Sequence, residues 1–355
     1  MEGPEISVFI PVYNGSLYLR PTLDSVLNQS FSDFELLVVD DSSTDDSWMI
    51  LQDYAARDPR MRILQKEHGG NVPKSWNVVR PLFRGEFVFY LSQDDLLSPD
   101  CFEQMIRRQQ ECNADCVLPD MLRFKLDPLD AVEEHALIAP NADYSRTLDG
   151  RSAFLLSLDW SIHGFMLCRR QFYAEEEFDE NTFNSDEYVS RKIFLQSSLV
   201  AFSKGRFFYR RGNSNSITDP GHPLRYQVLR TNRRLLQLML EQGFEQQETD
   251  ACSRQVFDAF CGLYTYFLQN KHSYPLSEQS SIKTLFKEEY AAINKYKKVL
   301  VSAYRHLSFK QRIRLVLMLS AYSLFVFINT WSLYLKKLNK KREKVQKVKA
   351  IKPGK

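Results

Sequence analysis

The sequence lacks the motifs by which many nucleotide-binding and metal-binding proteins are known. No G-x-G-x-x-G follows its first strand-like run, so a dinucleotide site is poorly supported, and no G-x-x-x-x-G-K-[ST] occurs, which removes a P-loop. Cysteine is scarce, six in 355 residues. Cys112 and Cys116 lie four apart, but no second pair and no nearby histidine completes a zinc pattern. Free thiols in a reducing compartment are expected. The opening Met1-Glu2-Gly3-Pro4-Glu5 has neither a basic n-region nor an apolar h-region, so the expectation is a cytoplasmic protein without a secretory signal. There is no internal repeat.

What is present is enough apolar residue, 44% of the chain, to bury a sizeable core in one or two domains. The net charge of +3 is unevenly placed. Ten lysines and arginines from Lys336 to Lys355 face only Glu343, so the basicity belongs to a tail and the body is net acidic. An acidic body without a recognition motif argues against nucleic-acid binding.

Along the chain, short β-branched apolar runs alternate with segments of helical period. Strands are predicted at 6–11, 34–39, 61–64, 85–91, 114–118, 165–168 and 199–209. Helices are predicted at 19–29, from 47, at 76–83 with Pro81 near its end, at 99–110 and over 184–194. The stretch 127–149 reads as loops. Beyond Pro223 the pattern is helical throughout, at 224–240, 250–269, 282–307 and 312–337. The fold class is α/β with a mostly parallel sheet, followed by a C-terminal helical region. In such sheets ligands bind outside the carboxyl ends of the strands. The polar clusters Tyr13-Asn14, Asp40-Asp41 and Gln93-Asp94-Asp95 fall there. Taken singly, paired aspartates are usually turn and cap residues; in series after buried strands they point to a site.

Four segments in order resemble family 2 glycosyltransferases: Phe9-Ile10-Pro11-Val12-Tyr13-Asn14, then 23–31 (LDSVLNQSF), 38–45 (VVDDSSTD) and 85–95 (GEFVFYLSQDD) with Pro99 beyond. The match covers roughly the first third of the chain and fades after residue 125. The resemblance implies a GT-A nucleotide-binding domain, expected over 1–220, and transfer of a sugar from a nucleotide donor with inversion. By that resemblance Tyr13 stacks on the base and Asp41 bonds its edge, as suits a uridine-type donor. Asp94 would hold a divalent ion, Mn²⁺ or Mg²⁺, and Asp186 would be the general base, with Glu187 as alternative. Pro11, Asn14, Asp40 and Gln93 are further expected donor-site residues, and Lys74, Arg210 and Arg211 are candidates for the diphosphate. Trp160, His163 and Gly164 are candidates for the acceptor pocket, against the rival reading of a packed aromatic and a surface histidine.

The physical reasons stand beside the resemblance. A leaving nucleoside diphosphate develops negative charge that a bound cation offsets. Such cations take carboxylate and phosphate oxygens. A sugar hydroxyl is a weak nucleophile and needs a positioned carboxylate to take its proton. One departure stands out: the family often has an acid at the place of Ser92, so the ion here would have one direct carboxylate. A helix start such as Asp186 can also be a plain N-cap. A non-catalytic nucleotide- or glycan-binding module is the rival reading, and a sugar nucleotidyltransferase a further one, although that class carries a Gly-rich N-terminal loop absent from 9–15.

Residues 221–310 are expected as a helical extension, and 311–355 as an apolar helix with a basic tail. Leu315 to Leu335 contains no charged residue and is long enough to cross a bilayer, to lie on one, or to pack on the domain. Aromatics and a polybasic flank favour attachment to an anionic surface, the inner face of the cytoplasmic membrane. Family members of this size often build capsule or lipopolysaccharide units on a polyprenyl-diphosphate carrier, so the resemblance implies a lipid-linked glycan acceptor. No Gln-x-x-Arg-Trp occurs, which favours addition of a single sugar over processive synthesis.

Overall fold

A computed structural model describes residues 3–125, 132–213, 221–305, 307–332 and 334, with side chains of 132–135, 310 and 314 excepted. The chain divides into two compact units, Met1–Asp219 and Pro220–Lys355.

The first unit is built on one mixed, mostly parallel α/β sheet. β1 (Ile6–Val12) lies between β2 (Phe34–Asp40) and β4 (Phe87–Tyr90), and β2 continues to β3 (Met61–Gln65), all parallel. β1 and β2 are buried at every position, as near-continuous apolar runs covered on both faces must be. The covering helices are α1 (Ser16–Leu27), α2 (Ser47–Arg57), α3 (Val72–Val79) and α4 (Cys101–Cys112). Phe102 of α4 packs edge-on against Phe34 and Phe89, each with ring centres 5.6 Å apart. Full burial of one such side chain contributes about 1.5–3 kcal/mol.

Beyond β4 the sheet changes character. β9 (Leu167–Arg169) runs antiparallel to both β4 and β6 (Cys116–Phe124), and β10 (Val200–Arg210) then pairs parallel with β6. Short antiparallel strands β5 (Leu96–Leu97) and β8 (Thr147–Leu148) flank β10, and β7 (Val132–Leu137) pairs with β6. Strands β7 and β8 therefore lie where loops were expected at 127–149. Their short length gave no period to read. Helices α5 (Gly150–Leu158), α6 (Arg170–Ala174) and α7 (Ser185–Gln196) complete the unit. Pro81 does not lie inside a helix: α3 ends at Val79 and a single 3₁₀ turn carries 80–82.

The second unit, where described, is helical: α8 (Val228–Glu241), α9 (Gln246–Asn270), α10 (Leu276–Ile293), α11 (Lys297–Ala303), α12 (Phe309–Met318) and residues 322–332. Here one expectation is corrected. The apolar stretch from Leu315 is not one continuous helix, because it breaks at 319–321. Leu315, Met318, Leu319 and Phe325 are buried within the unit. Phe325 sits 4.9 Å from Phe260 and 5.0 Å from Tyr264, and the Tyr290 hydroxyl donates to the Met318 carbonyl at 2.7 Å. No helix among the described residues is long and apolar enough to cross a membrane. Leu335 and the lysine tail lie outside the described residues.

Among the apolar strands, β1 and β2 bury Ser7 and Glu35. The Ser7 hydroxyl donates to Glu35 at 2.7 Å, and the backbone amides of Arg84 and Gly85 lead the chain into β4 by donating to Glu35 and Ser7. Arg62 and Arg84 complete the carboxylate's partners. Burial alone would raise the Glu35 pKa, but hydrogen bonds from Ser7, Arg84 and Arg62 hold it below the ordinary glutamate value. A lowered folded-state pKa contributes stability that is present above the unfolded value and lost as pH falls through the folded one. Glu35→Ala is expected to cost about 2–4 kcal/mol in urea unfolding at pH 7, with the difference from wild type shrinking toward acid pH.

Candidate active site

The rim at the carboxyl ends of β1, β2 and β4 is assembled by side chains that satisfy loop backbone. Asn14 adopts φ 49° and its side-chain oxygen accepts from the Thr44 amide at 2.7 Å, tying the first loop to the second. Asp45 accepts from the amides of Ser16 and Ser47, both at 3.0 Å, and so caps the starts of α1 and α2 together. Gln93 makes a two-way bridge to Tyr13, accepting from its amide at 2.9 Å and donating to its carbonyl at 3.1 Å. A side chain at Gly15 would collide with Gln93, since its Cβ would lie 2.4 Å from Oε1. Asn14 and Gln93, expected to touch the donor, thus also hold the loops that carry it.

Asp40 requires a correction. It is fully buried, and its carboxylate accepts from the Ser43 amide and hydroxyl and from Gln65. It holds the turn and has no surface to offer a ligand. Pro11 is buried within β1 and acts through the backbone it fixes. His163 is likewise corrected. Its ring is buried, Nε2 lies 2.7 Å from the Pro119 carbonyl and Nδ1 accepts from the Phe165 amide. Burial lowers its pKa to about 4, so it is a neutral internal brace rather than the surface histidine of the rival reading. Gly164 packs against α7, where a Cβ would lie 2.7 Å from the Ser190 hydroxyl.

Tyr13 remains 42% exposed. The imidazole of His68, unmarked by any sequence motif, lies over it with ring centres 4.4 Å apart. His68 belongs to the loop after β3, which Asp41 organises. The Asp41 carboxylate accepts from the Gly69 and Gly70 amides at 2.7 and 2.9 Å, pairs with Lys66, and lies 3.2 Å from His68 Nδ1. Both oxygens are therefore engaged within the loop. Lys74 runs beside this loop, its Cδ 2.7 Å from where a Gly69 Cβ would stand.

The turn 92–95 after β4 is clamped from β10. Arg210 donates from its backbone amide to Asp95 Oδ1 and from Nε to the Asp94 carbonyl, both at 2.8 Å. Its guanidinium lies between the rings of Tyr18 and Phe124, 4.4 Å from each centre. The sequence weighed Arg210 for the diphosphate; the structure makes it the clamp of the acidic turn. Thr22 of α1 sits under the same turn, within 3.0 Å of the Gln93 and Asp95 carbonyls. Asp94 is partly exposed and accepts from Asn213 at 2.7 Å. Asp95 behind it is buried, and its Oδ2 has no hydrogen-bond partner. Burial and the neighbouring Asp94 charge push its pKa well up.

Asp186 stands in the first turn of α7. Burial pushes its pKa up to about 7, and the charge of Glu187 adds to the rise. Its place relative to the acidic turn is marked by Tyr90, a half-buried phenol whose pKa is raised first by desolvation and then by Asp186, Asp95 and Asp94 together. Asp94, Asp95 and Asp186 therefore converge on one ring from two elements. Glu187 instead pairs with Arg191 at 3.2 Å, which leaves Asp186 as the carboxylate held near neutrality. A carboxylate so tuned is suited to take a proton at pH 7.

Residues 7–175 match the family described as Glycosyl transferase family 2. The glycosyltransferase GlyG of Streptococcus pneumoniae is 27% identical over 225 residues, 60% of this chain and 72% of that protein. EpsJ of Bacillus subtilis is 26% identical over 226 residues, 61% of this chain and 63% of EpsJ. The chondroitin synthase of Escherichia coli is 41% identical over 100 residues, only 14% of its length. Among solved structures, Staphylococcus aureus TarS 1–349 in complex with UDP-GlcNAc superposes with a TM-score of 0.64 at 17% identity, covering 94% of this chain and 92% of that one. That likeness establishes the fold, GT-A followed by helices.

If Arg210 is the clamp, Arg210→Ala should weaken nucleoside-diphosphate binding at least tenfold in calorimetry and lower the melting temperature by several degrees. Arg210→Lys should rescue little, since an ammonium cannot stack between two rings and bond a carbonyl together.

Proposed function

The chain belongs to glycosyltransferase family 2, and from that premise we propose that it moves a single sugar from a UDP-sugar to a glycan acceptor carried on a polyprenyl diphosphate, with inversion, in surface polysaccharide synthesis. The observation that carries the reading is Asp186, a carboxylate tuned to about 7 that presses on the same phenol as Asp94 and Asp95. A general base and an acidic turn at one rim are the two parts that direct displacement needs. A binding module would have no use for a base held near neutrality at a cost in solvation. TarS, crystallised with UDP and with UDP-GlcNAc, supports a uridine donor over Tyr13. With His68 at stacking distance on Tyr13, a base would take the place of that imidazole.

A divalent ion fits this rim as a partner of the donor. Asp94 offers one carboxylate, Ser92 stands where a second acid would be, and Asp95 is turned inward. Among the described residues no group of three His, Cys, Asp or Glu could hold an ion unaided. One carboxylate with diphosphate oxygens and water suits Mg²⁺ or Mn²⁺. When bound, the ion would neutralise charge on the departing diphosphate. The protein's own part is to fix Asp94 through Arg210 and to take the acceptor proton on Asp186.

A panel of nucleotide sugars with Mn²⁺ tests the proposal. One UDP-sugar should turn over, and Asp94→Ala should abolish turnover and metal-dependent UDP binding. Asp186→Asn should keep UDP affinity and lose transfer by at least a thousandfold. The wild-type rate should climb through pH 7 to a plateau, since the base works only when deprotonated, and Glu187→Gln should move that limb to lower pH by removing the neighbouring charge. No binding of any nucleotide sugar would overturn the proposal.

The acceptor's lipid carrier places the enzyme at a membrane surface. In the helical unit, Phe309, Ile313, Val316 and Leu317 of α12, and Leu324, Phe327, Trp331 and Tyr334 beyond it, are exposed apolar side chains. The lysines that follow in sequence supply charge of the sign that anionic lipid attracts. In flotation assays the full chain should rise with phosphatidylglycerol vesicles and not with phosphatidylcholine, and Phe327→Glu/Trp331→Glu should stay at the bottom.

A further inference from the structure

Trp160 holds a backbone conformation that tryptophan rarely adopts. It follows α5 with φ 63°, its amide 3.3 Å from the Ser157 carbonyl, at a helix end where glycine is the favoured residue. A bulky side chain kept there at a cost in conformational energy points to a use for the side chain. The indole is not packed away: Trp160 is 39% exposed. What fixes it is Arg191 of α7, whose guanidinium lies 5.6 Å from the ring centre. Arg191 is itself buried, with its NH1 held 2.9 Å from the Glu187 carbonyl and 3.2 Å from the Glu187 carboxylate.

That anchor ties the indole to the base. Arg191 belongs to the helix in whose first turn Asp186 stands, and both its contacts there are with Glu187, the residue next to Asp186. The indole and Glu187 thus share one guanidinium, which sets Trp160 at the end of α7 that carries the base. Tyr13, which serves the nucleotide in the reading above, is carried by the loop after β1. Trp160 stands instead beside the group that receives the acceptor proton.

We propose that Trp160 is the acceptor platform, and that the acceptor presents the C–H face of a pyranose ring to it. A fixed, exposed aromatic ring offers its electron-rich face to the weakly positive C–H face of a sugar, whose hydroxyls then point outward along its rim. A hydroxyl on that rim comes within reach of Asp186. An acyclic polyol phosphate has no such face and gains little from an indole. The inference rests on the transferase reading and narrows it to acceptors ending in a pyranose.

Two measurements separate the inference from that reading. First, saturation-transfer NMR with methyl β-pyranosides in the presence of UDP should show contact in wild type that Trp160→Gly abolishes and Trp160→Phe retains. Second, with the donor found in the panel and octyl β-pyranosides as acceptors, Trp160→Gly should raise the acceptor KM at least tenfold, with UDP affinity within twofold and kcat at saturation largely kept. Glycine relieves the positive φ, so its melting temperature should equal or exceed that of wild type, which removes misfolding as the cause. Unchanged pyranoside binding and KM in Trp160→Gly would overturn the inference, as would wild-type preference for ribitol or glycerol phosphate acceptors. Pyranoside contact at Trp160 without turnover of any donor would sink the transferase reading and leave the sugar platform standing.

Discussion

A parallel sheet buried on both faces has only its strand ends at which backbone polar groups can meet the loops that follow. At the carboxyl ends of β1, β2 and β4 this constraint decides what the loop residues must be. Gln93 satisfies both backbone groups of Tyr13, and Asp40 closes its own turn through Ser43. Asp45 starts two helices at once, and Asp41 takes two loop amides. A buried amide or carbonyl left alone costs on the order of 1–3 kcal/mol, so each of these side chains is structural before it is anything else. The outcome is a rim on which Tyr13 is presented and Asp94 is aimed, with little freedom left in either.

The same economy explains why the site is legible in the sequence in outline but not in detail. The four rim motifs come after apolar runs whose period and length are unambiguous, so strands β1 to β4 and the clusters at their ends could be placed from residues alone. Which aspartate of a pair faces ligand could not. Asp40 and Asp41 are adjacent in sequence, yet one is sealed under the turn and the other organises a distant loop. Side chains alternate along a strand, but the alternation is lost where the strand ends, and hydrogen bonds decide. His68 was invisible as a site residue, and Arg210 as the clamp of the acidic turn, for another reason. Each acts through a contact with residues far away in sequence, His68 on Tyr13 and Arg210 between Tyr18 and Phe124, and no local pattern encodes such a meeting. His163 misled in the opposite sense: a histidine beside a glycine before a strand looks available, and only the fold shows Nε2 spent on Pro119.

The C-terminal helices show a limit of reading hydropathy. An uncharged stretch of twenty-one residues, Leu315 to Leu335, fits a spanning helix by length alone. In the folded unit it divides, because Leu315, Met318, Leu319 and Phe325 serve an aromatic core with Phe260, Tyr264, Phe286 and Tyr290. The apolar residues left over, Phe327 and Trp331 among them, are exposed. Hydropathy averaged along the chain could not distinguish the buried members from the exposed ones, since the two sets interleave on both sides of the break at 319–321.

The absence of an acid at residue 92 follows from the electrostatics around Tyr90. Asp94, Asp95 and Asp186 already act on that phenol, and Asp95 and Asp186 are both pushed toward their protonated forms. Another carboxylate at 92 would stand within two residues of Asp94 and beside the Tyr90 hydroxyl, 3.4 Å from the present Ser92 oxygen. Like charges at such range resist ionisation together. The added acid would thus raise the pKa of its neighbours and gain only part of a charge for cation binding. A neutral serine adds no further charge beside Asp95 and Asp186, whose pKa values are already raised. On the proposed reading this is a division of labour: affinity for the cation would shift from the protein to the incoming diphosphate, and Asp186, with its pKa at about 7, would remain able to titrate where the enzyme works.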